Sequence, residues 1–161
     1  MIEYTYITFC ILNGGVHMQL TTYTDYSLRV LLYLGTLTED KLASIKEISS
    51  AYGISNNHLS KIVYELGKLG LIETIRGRNG GIKLAKSPNE INIGNVVRQT
   101  EDLEIVECFN ADRNMCIISA GCRLKHALNE AMNAYLQVLD QYTLEDMLVN
   151  KDFLRSLLSK A

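Results

Sequence analysis

The strongest constraint on the fold is a pair of short helical segments joined through a glycine. The first runs from about Ser44 to Tyr52 and begins with a capping-box pattern of Ser and Glu, and Gly53 follows it. The second runs from about Asn56 to Leu69, where apolar residues recur at spacings of three and four. Glycine adopts the backbone conformations that a tight turn needs. This arrangement is typical of a helix-turn-helix.

A predicted β-hairpin follows these helices directly. Leu71 to Ile75 and Ile82 to Leu84 have strand-like sequences, and Arg76 to Gly81 between them contains an Asn-Gly pair. Such a pair favours a tight hairpin turn. Upstream, Asp25 to Thr36 is predicted to be a helix that is buried on most of its sides. Together these elements predict a winged helix, in which the hairpin is the wing.

The second half of the chain is predicted to be helical. A short helix is predicted for residues 93–100, a loop for 101–121 and a long helix from Arg123 to Tyr142. Apolar residues along the long helix step by four and three, which is the narrow seam of a coiled-coil pair. They are Leu124, Leu128, Ala131, Tyr135, Val138 and Tyr142. The predicted fold class is therefore mainly α with a small β-wing: a winged helix-turn-helix domain followed by a long C-terminal dimerisation helix.

Three segments follow from these patterns. Residues 1–17 are interpreted as a leader, either an upstream mis-start or a disordered arm, because their apolar stretch lacks amphipathic order. Residues 18–87 are the predicted winged helix-turn-helix DNA-binding domain, in which nine Lys and Arg precede Ser87 against six Asp and Glu. Residues 88–161, beginning at the single proline, hold the predicted cysteine loop and dimerisation helices. From Ser87 onward, eleven acidic residues stand against seven basic ones.

Several classes of protein are excluded by what the sequence lacks. The longest apolar stretches are far shorter than the ~20 residues that a membrane span needs, and no secretory signal is recognisable. A cytoplasmic, reducing setting is therefore expected, without a membrane partner, and there cysteines are more often ligands or redox groups than disulfides. The sequence has no nucleophile–base pair, phosphate-binding loop or paired catalytic carboxylates, so an enzyme is not expected.

The predicted third helix and the wing carry a basic, polar surface, with six Lys and Arg against two Glu in residues 56–86. Asn pairs with adenine edges, Lys with guanine, and Ser and Tyr with phosphates, while arginines beside glycines suit a narrow minor groove. A merely solvated face is the alternative, but the turn and the wing favour binding to double-stranded DNA. The candidate DNA-binding residues are Ser55, Asn56, Asn57, His58, Ser60, Lys61, Tyr64, Arg76 and Arg78.

Three cysteines lie together in the loop before the long helix. Cys108, Cys116 and Cys122 fall within fifteen residues. Closely spaced thiolates favour zinc or iron–sulfur binding, and the C-x2-C pairs of zinc ribbons are missing. Three cysteines leave room for a further ligand, and His126, one helical turn after Cys122, is a candidate. Three unrelated buried cysteines are the alternative, but their sequence neighbours are polar.

These motifs together resemble a known family. The chain contains, in order, MQLTTYTDYSLRVLLYL, GISNNHLSKIVYELGKLG, IRGRNGGIKL, INIGNVVRQTE, the three cysteines and CRLKHALNEA. This resembles the NsrR nitric-oxide-sensing repressors, a branch of the winged-helix iron–sulfur regulators that also includes IscR. The resemblance runs from Met18 to about Val149, and the combination of the wing motif with the three-cysteine loop makes it specific.

The resemblance implies a homodimer that binds a palindromic operator. Each subunit is expected to hold a 4Fe–4S cluster through its three cysteines. The fourth ligand is expected to be Asp25 of the partner subunit, with Arg29 lying beside that aspartate. Some relatives hold a 2Fe–2S cluster instead and use a histidine after the third cysteine, at a shorter spacing than that from Cys122 to His126.

The implied function is that of a DNA-binding transcriptional repressor that senses nitric oxide and releases its operator when its cluster is nitrosylated. One alternative is an iron- or cluster-status regulator with a 2Fe–2S centre on the same scaffold. Another is a metal-free thiol-redox regulator or a zinc-structured DNA-binding module. The iron and sulfide content of the protein separates these possibilities.

Overall fold

The computed structural model describes residues 19–38 and 41–159. The predicted leader, residues 1–17, lies outside the described residues. The helices and strands in chain order are α1 (Thr22–Thr36), α2 (Ile45–Tyr52), α3 (Asn56–Lys68), β1 (Ile72–Ile75), β2 (Gly81–Leu84), α4 (Ile93–Thr100), α5 (Arg123–Leu139) and α6 (Lys151–Leu158). The predicted class, mainly helical with a small β-wing, is confirmed. Within the described ranges, none of the helices combines the length and hydrophobicity that a membrane crossing requires.

Polar caps start both helices of the helix-turn-helix, α2 and α3. Ser44 Oγ accepts from the backbone N–H of Glu47 at 3.2 Å, and the Glu47 carboxylate accepts from the N–H of Ser44 at 2.6 Å, which is the predicted capping box. Donation to this carboxylate from the backbone N–H and from the hydroxyl of Ser44 lowers the pKa of Glu47. Ser55 Oγ accepts from the N–H of His58 at 3.3 Å and caps α3. Gly53, between the helices, has a φ of 65°, a value that favours glycine.

Helix α1 begins earlier than the sequence predicts. It starts at Thr22 rather than at Asp25, because Thr21 supplies the cap: its Oγ1 accepts from the N–H of Thr24 at 3.3 Å. The Glu101 carboxylate accepts from the N–H of Thr21 at 2.9 Å and connects this cap to the end of α4. The first turn of α1 is thus held by a residue from the second half of the chain.

Helix α1 lies at the centre of the hydrophobic core. It contacts α3, α4, α6 and strand β2. The buried cluster includes side chains from both halves of the chain, among them Val30, Leu31, Ile48, Leu59, Leu66, Ile82, Val96, Leu144 and Leu148. The domain boundary between residues 87 and 88 stays a prediction, and the core continues across it.

The wing is an antiparallel hairpin of β1 and β2, in which Ile72 pairs with Leu84 and Ile75 with Gly81. Ala43, just before α2, adds a bridge to Ile82 through two backbone hydrogen bonds of 3.0 and 2.7 Å. The side chain of Ile82 is also buried in the core. The wing is therefore attached to the helix-turn-helix by its backbone as well as by apolar packing.

Helix α5 ends three residues before the predicted end at Tyr142. The chain leaves the helix because the carbonyls that follow bond to the start of α4. Asn92 Nδ2 donates to the carbonyl of Asp140 at 2.8 Å, and the N–H of Ile93 donates to the carbonyl of Tyr142 at 2.9 Å. An ion pair of Arg98 with Asp140, 2.7 Å from Nη2 to Oδ2, reinforces this junction.

Helix α6 packs against the end of α1. Arg155 Nε donates to the carbonyl of Thr36 at 2.7 Å, and a second guanidinium nitrogen of Arg155 bonds to the same oxygen. Thr36 belongs to the last turn of α1, where carbonyls lack helical partners. The guanidinium therefore caps α1 at its C-terminal end.

Candidate functional site

Helix α3 presents a polar face away from the core. Leu59, Ile62, Val63 and Leu66 are buried on its other side. Every residue that the sequence predicts to contact DNA on this helix, and its cap, is exposed: Ser55, Asn56, Asn57, His58, Ser60, Lys61 and Tyr64. The structure thus brings these candidates together on one accessible surface, at the N-terminal part of the helix, the part that reaches base edges in helix-turn-helix proteins.

The tip of the wing carries two exposed arginines, Arg76 and Arg78. Gly77 between them has a φ of 114°, which a side-chain-bearing residue rarely adopts. On the strands below, Lys83 pairs with Glu73 at 3.3 Å. Among the described residues, neither arginine of the tip has a carboxylate at ion-pair distance. Their charges are therefore available for phosphates.

Asp25 lies in the first turn of α1 and forms a two-pronged ion pair with Arg29, one turn further on. Arg29 Nη2 lies 2.8 Å from Asp25 Oδ2, and Nε donates to Oδ1 at 3.0 Å. The hydrogen bond to this carboxylate raises the pKa of Arg29. Both side chains are partly exposed, 41% for Asp25 and 42% for Arg29. The structure places Arg29 beside Asp25, as the sequence predicts.

Two tyrosines connect this ion pair to α3. The Arg29 guanidinium lies 5.8 Å from the ring centroid of Tyr26 and 5.9 Å from that of Tyr52. The Tyr26 ring lies 6.4 Å from the His58 imidazole on α3, between centroids. Contacts therefore run without a gap from Asp25 to the exposed face of α3. Sequence reasoning missed both tyrosines; the only signal was the spacing of three between Tyr26 and Arg29.

A cleft of about 450 Å³ opens beside these side chains. Burial raises the pKa of Tyr52 to about 12, with the Arg29 charge opposing the rise and Tyr33 adding to it. The Tyr33 ring meets Tyr52 edge-on at 6.3 Å between centroids. The cleft is lined by Gln19, Leu20, Thr22, Asp25, Tyr26, Arg29, Tyr52, Gly53 and Ile54.

The cysteine segment, residues 104–122, connects α4 to α5. Cys108 lies in a short 3₁₀ turn, Cys116 in the following loop, and Cys122 is the N-cap residue of α5. All three are free thiols and are half-buried. Within residues 19–38 and 41–159, no three His, Cys, Asp or Glu side chains converge on a position that would hold a metal ion. In a single chain, Cys108, Cys116 and Cys122 therefore do not form a metal-ion site, either with one another or with Asp25.

The predicted seam of α5 is exposed at Leu124, Ala131, Val138 and Tyr142 and half-buried at Leu128 and Tyr135. Leu124 is 65% exposed and Val138 53%, and Leu136, outside the seam, is the buried residue of this helix. His126 is exposed and borders a cleft of about 500 Å³ with Glu104 and Phe109. The apolar seam is accessible to a second helix.

The fold is that of a winged-helix DNA-binding regulator. It has a capped helix-turn-helix, an attached wing with a basic tip, and a core that includes the C-terminal half of the chain. The profile of the Rrf2 family, described as iron-dependent transcriptional regulators, matches residues 20–150. The chain belongs to this family. It is accordingly a transcriptional regulator that binds DNA and not an enzyme.

Several named relatives and solved structures are similar to this chain. The chain is 66% identical over 142 residues to the HTH-type transcriptional regulator NsrR of Halalkalibacterium halodurans, covering 88% of this chain and 97% of that protein. It is 58% identical to NsrR of Bacillus subtilis, with the same coverage. The structure of CymR, the global cysteine regulator of B. subtilis, is similar with a TM-score of 0.66 at 27% identity, over 81% of this chain and 95% of that one. The structure of T. potens IscR shares the fold with a TM-score of 0.66 at 24% identity, over 83% of this chain and 88% of that one.

Replacing Tyr52 with Phe should make the free energy of unfolding fall less steeply as the pH rises above 10. The folded-state pKa of Tyr52, about 12, lies above the ordinary 10.0, so the neutral phenol contributes its full stability below pH 10 and loses it as the pH rises towards 12. Denaturant titrations at successive pH values should show a steeper decline for the wild type than for Tyr52→Phe. Tyr64→Phe, at an exposed tyrosine, should follow the wild type. Parallel declines in the wild type and Tyr52→Phe would contradict the buried phenol.

Proposed function

We propose that this chain forms a homodimeric transcriptional repressor that holds an iron–sulfur cluster, of the 4Fe–4S type, and releases its operator in response to nitric oxide. The observation that carries the proposal is the set of three free, half-buried thiols on one segment immediately before α5. Identities of 53–66% with proteins named NsrR support it. The proposed place of action is the cytoplasm, where the operator DNA lies.

The donor set fits an iron–sulfur cluster. Cys108, Cys116 and Cys122 offer thiolates, the ligands that such clusters prefer, and none of the three is engaged in a disulfide. Three cysteines leave one position for another ligand, for which we propose Asp25 of the partner subunit, with His126 as the alternative. When bound, the cluster supplies iron that reacts with nitric oxide.

DNA is proposed to be bound by α3 in the major groove and by the wing in the adjacent minor groove. The polar face of α3 offers amide, hydroxyl and ammonium groups of the kinds that base edges and phosphates bind. The wing adds Arg76 and Arg78, whose charges have no carboxylate partner among the described residues. In this proposal Asn56, Asn57 and Lys61 contact bases, and Ser55, His58, Ser60 and Tyr64 contact phosphates.

The dimer is proposed to form along the seam of α5. Along this seam Leu124, Val138 and Tyr142 are exposed, and apolar residues exposed on one face of a helix are what a pair of helices buries on association. A symmetric pair of α3 helices would then read a palindromic operator, provided that the two helices lie about 34–36 Å apart, one turn of DNA. Because α3 packs on α1, a shift of α1 relative to the dimer helix α5 would change the distance between the two α3 helices and therefore the fit to the operator.

Asp25 is the proposed point at which the dimer scaffold acts on the DNA-binding surface. Its helix, α1, packs on α3, and the neighbouring Tyr26 lies close to His58. Within its own chain the carboxylate pairs with Arg29, and both side chains are partly exposed, so Asp25 is accessible to a partner subunit.

A thiol-redox or cluster-status regulator on the same scaffold is the alternative. The thiol-redox form is favoured by the likeness to the structure of CymR, a cysteine regulator. It is also favoured by the lack, among the described residues, of three converging side chains that could hold a metal ion. Iron and sulfide analysis of anaerobically purified protein separates the two. A metal-free or 2Fe–2S protein would support the alternative.

Replacing any one of Cys108, Cys116 and Cys122 with Ser should abolish cluster-dependent operator binding, because each supplies a ligand. The measurements are iron and sulfide per chain and operator affinity, both taken anaerobically. Cys10→Ser removes the remaining cysteine, which lies outside the described residues, and should leave both quantities unchanged. The proposal fails if each single variant still binds the operator as tightly as the wild-type holoprotein.

Replacing Asp25 with Ala should leave the cluster bound but change the response to nitric oxide, because the cysteines remain and the proposed fourth ligand is lost. Anaerobic titration with nitric oxide, following visible absorption and operator release together, measures this response. Glu130→Ala, which removes an exposed carboxylate of α5, is the control. A nitric oxide titration identical to that of the wild type would exclude Asp25 as the fourth ligand.

Replacing Arg76 and Arg78 with Ala should weaken operator binding and reduce its salt dependence. Each phosphate contact contributes roughly 0.9 to the slope of log affinity against log salt, so the double variant should lose about two units of slope. Fluorescence anisotropy with operator DNA over a range of salt concentrations provides the measurement. Lys151→Ala, an exposed charge on α6, should keep the wild-type slope. An unchanged slope in the double variant would exclude the wing from phosphate contact.

A further inference from the structure

We propose that Glu104 is a positioning residue that shapes the cysteine segment before any cluster is bound. This inference rests on the proposed role of that segment in holding a cluster. Glu104 lies four residues before Cys108. Its carboxylate accepts from Asn110 Nδ2 at 2.9 Å to Oε1 and 2.8 Å to Oε2, and from Arg113 Nη2 at 2.8 Å. These bonds close a loop of chain that contains Cys108.

Asn110 connects Glu104 to the backbone of the turn that follows. While its amide nitrogen donates to Glu104, its Oδ1 accepts from the backbone N–H of Asp112 at 2.9 Å and of Arg113 at 3.1 Å. This is an Asx-type turn, in which a side chain fixes the backbone just after itself. Glu104 therefore orients Asn110, and Asn110 orients the turn between Cys108 and Cys116.

Two further side chains carry the arrangement on to Cys116. The Glu107 carboxylate accepts from the N–H of Met115, and Asn114 Oδ1 accepts from the N–H of Cys116 at 3.0 Å. Cys122 is held differently, as the N-cap residue of α5. Side-chain hydrogen bonds thus follow the segment from Glu104 to Cys116, and Cys122 lies beyond them at the start of the helix.

Apolar burial does little to hold this stretch. Met115 is 84% exposed and Ile117 is 98% exposed. Because Arg113 is itself 74% exposed, its ion pair with Glu104 is weak when taken alone. The conformation of the segment therefore depends on the hydrogen bonds made by Glu104 and Asn110. A segment that is already ordered loses less conformational entropy when it binds a ligand.

The test is the alkylation rate of each cysteine in the cluster-free full chain, followed by mass spectrometry. Glu104→Ala should open the segment locally and speed alkylation of Cys108 and Cys116 by about three- to tenfold, while Cys122 changes by less than about twofold. Glu104→Gln keeps an oxygen acceptor for Asn110 and should restore most of the protection. Asp112→Ala is the matched control, since its carboxylate bonds to no other side chain among the described residues.

A second measurement separates this inference from the proposed function. Anaerobic reconstitution with iron and sulfide should load Glu104→Ala more slowly than Asp112→Ala, and the visible circular dichroism of its cluster should differ. Selective alkylation in a chain that takes up no iron would support the role of Glu104 and overturn the cluster proposal. Unchanged alkylation of Cys108 and Cys116, or equal acceleration at all three thiols, would overturn the role of Glu104, whether or not iron is bound.

Discussion

The packing of helix α1 against its neighbours is the interaction on which the rest of the structure depends. Val30 and Leu31 are fully buried in it, and burial of each such side chain contributes about 1.5–3 kcal/mol. Helix α3, strand β2 of the wing, α4 and α6 all contact α1. Because a core of this kind is close-packed, none of these elements can shift without changing the packing of α1.

Both ends of α1 are held by the second half of the chain. Glu101 bonds to Thr21 at the first turn, and Arg155 bonds to Thr36 at the last. Asp25 is thus joined to α3 by the packing of α1 on α3 and by the aromatic neighbours Tyr26 and His58.

Features whose signals are local were predictable from the sequence. The capping box at Ser44, the turn at Gly53 and the paired strands of the wing each depend on residues only a few positions apart. The end of α5 was not predicted, because it depends on bonds to α4, far away in the sequence. The Thr21 cap was missed although its bond to Thr24 is local; only its second bond, to Glu101, comes from far along the chain. The candidate DNA-binding side chains share one exposed surface, as their helical spacing indicates. The candidate ligands do not meet within one chain, and spacing along a sequence carries no information about contacts between copies.

The bond from Arg155 to Thr36 joins positions 119 residues apart. A ribosome delivers the N-terminal helices and the hairpin first, and Arg155 of α6 emerges 119 residues after Thr36. Until then the last turn of α1 has no cap from the C-terminal helix and part of its apolar surface is open to water. The packing around α1 is therefore completed late in translation. A chain that terminates before α6 lacks the hydrogen bonds from Arg155 that cap the end of α1.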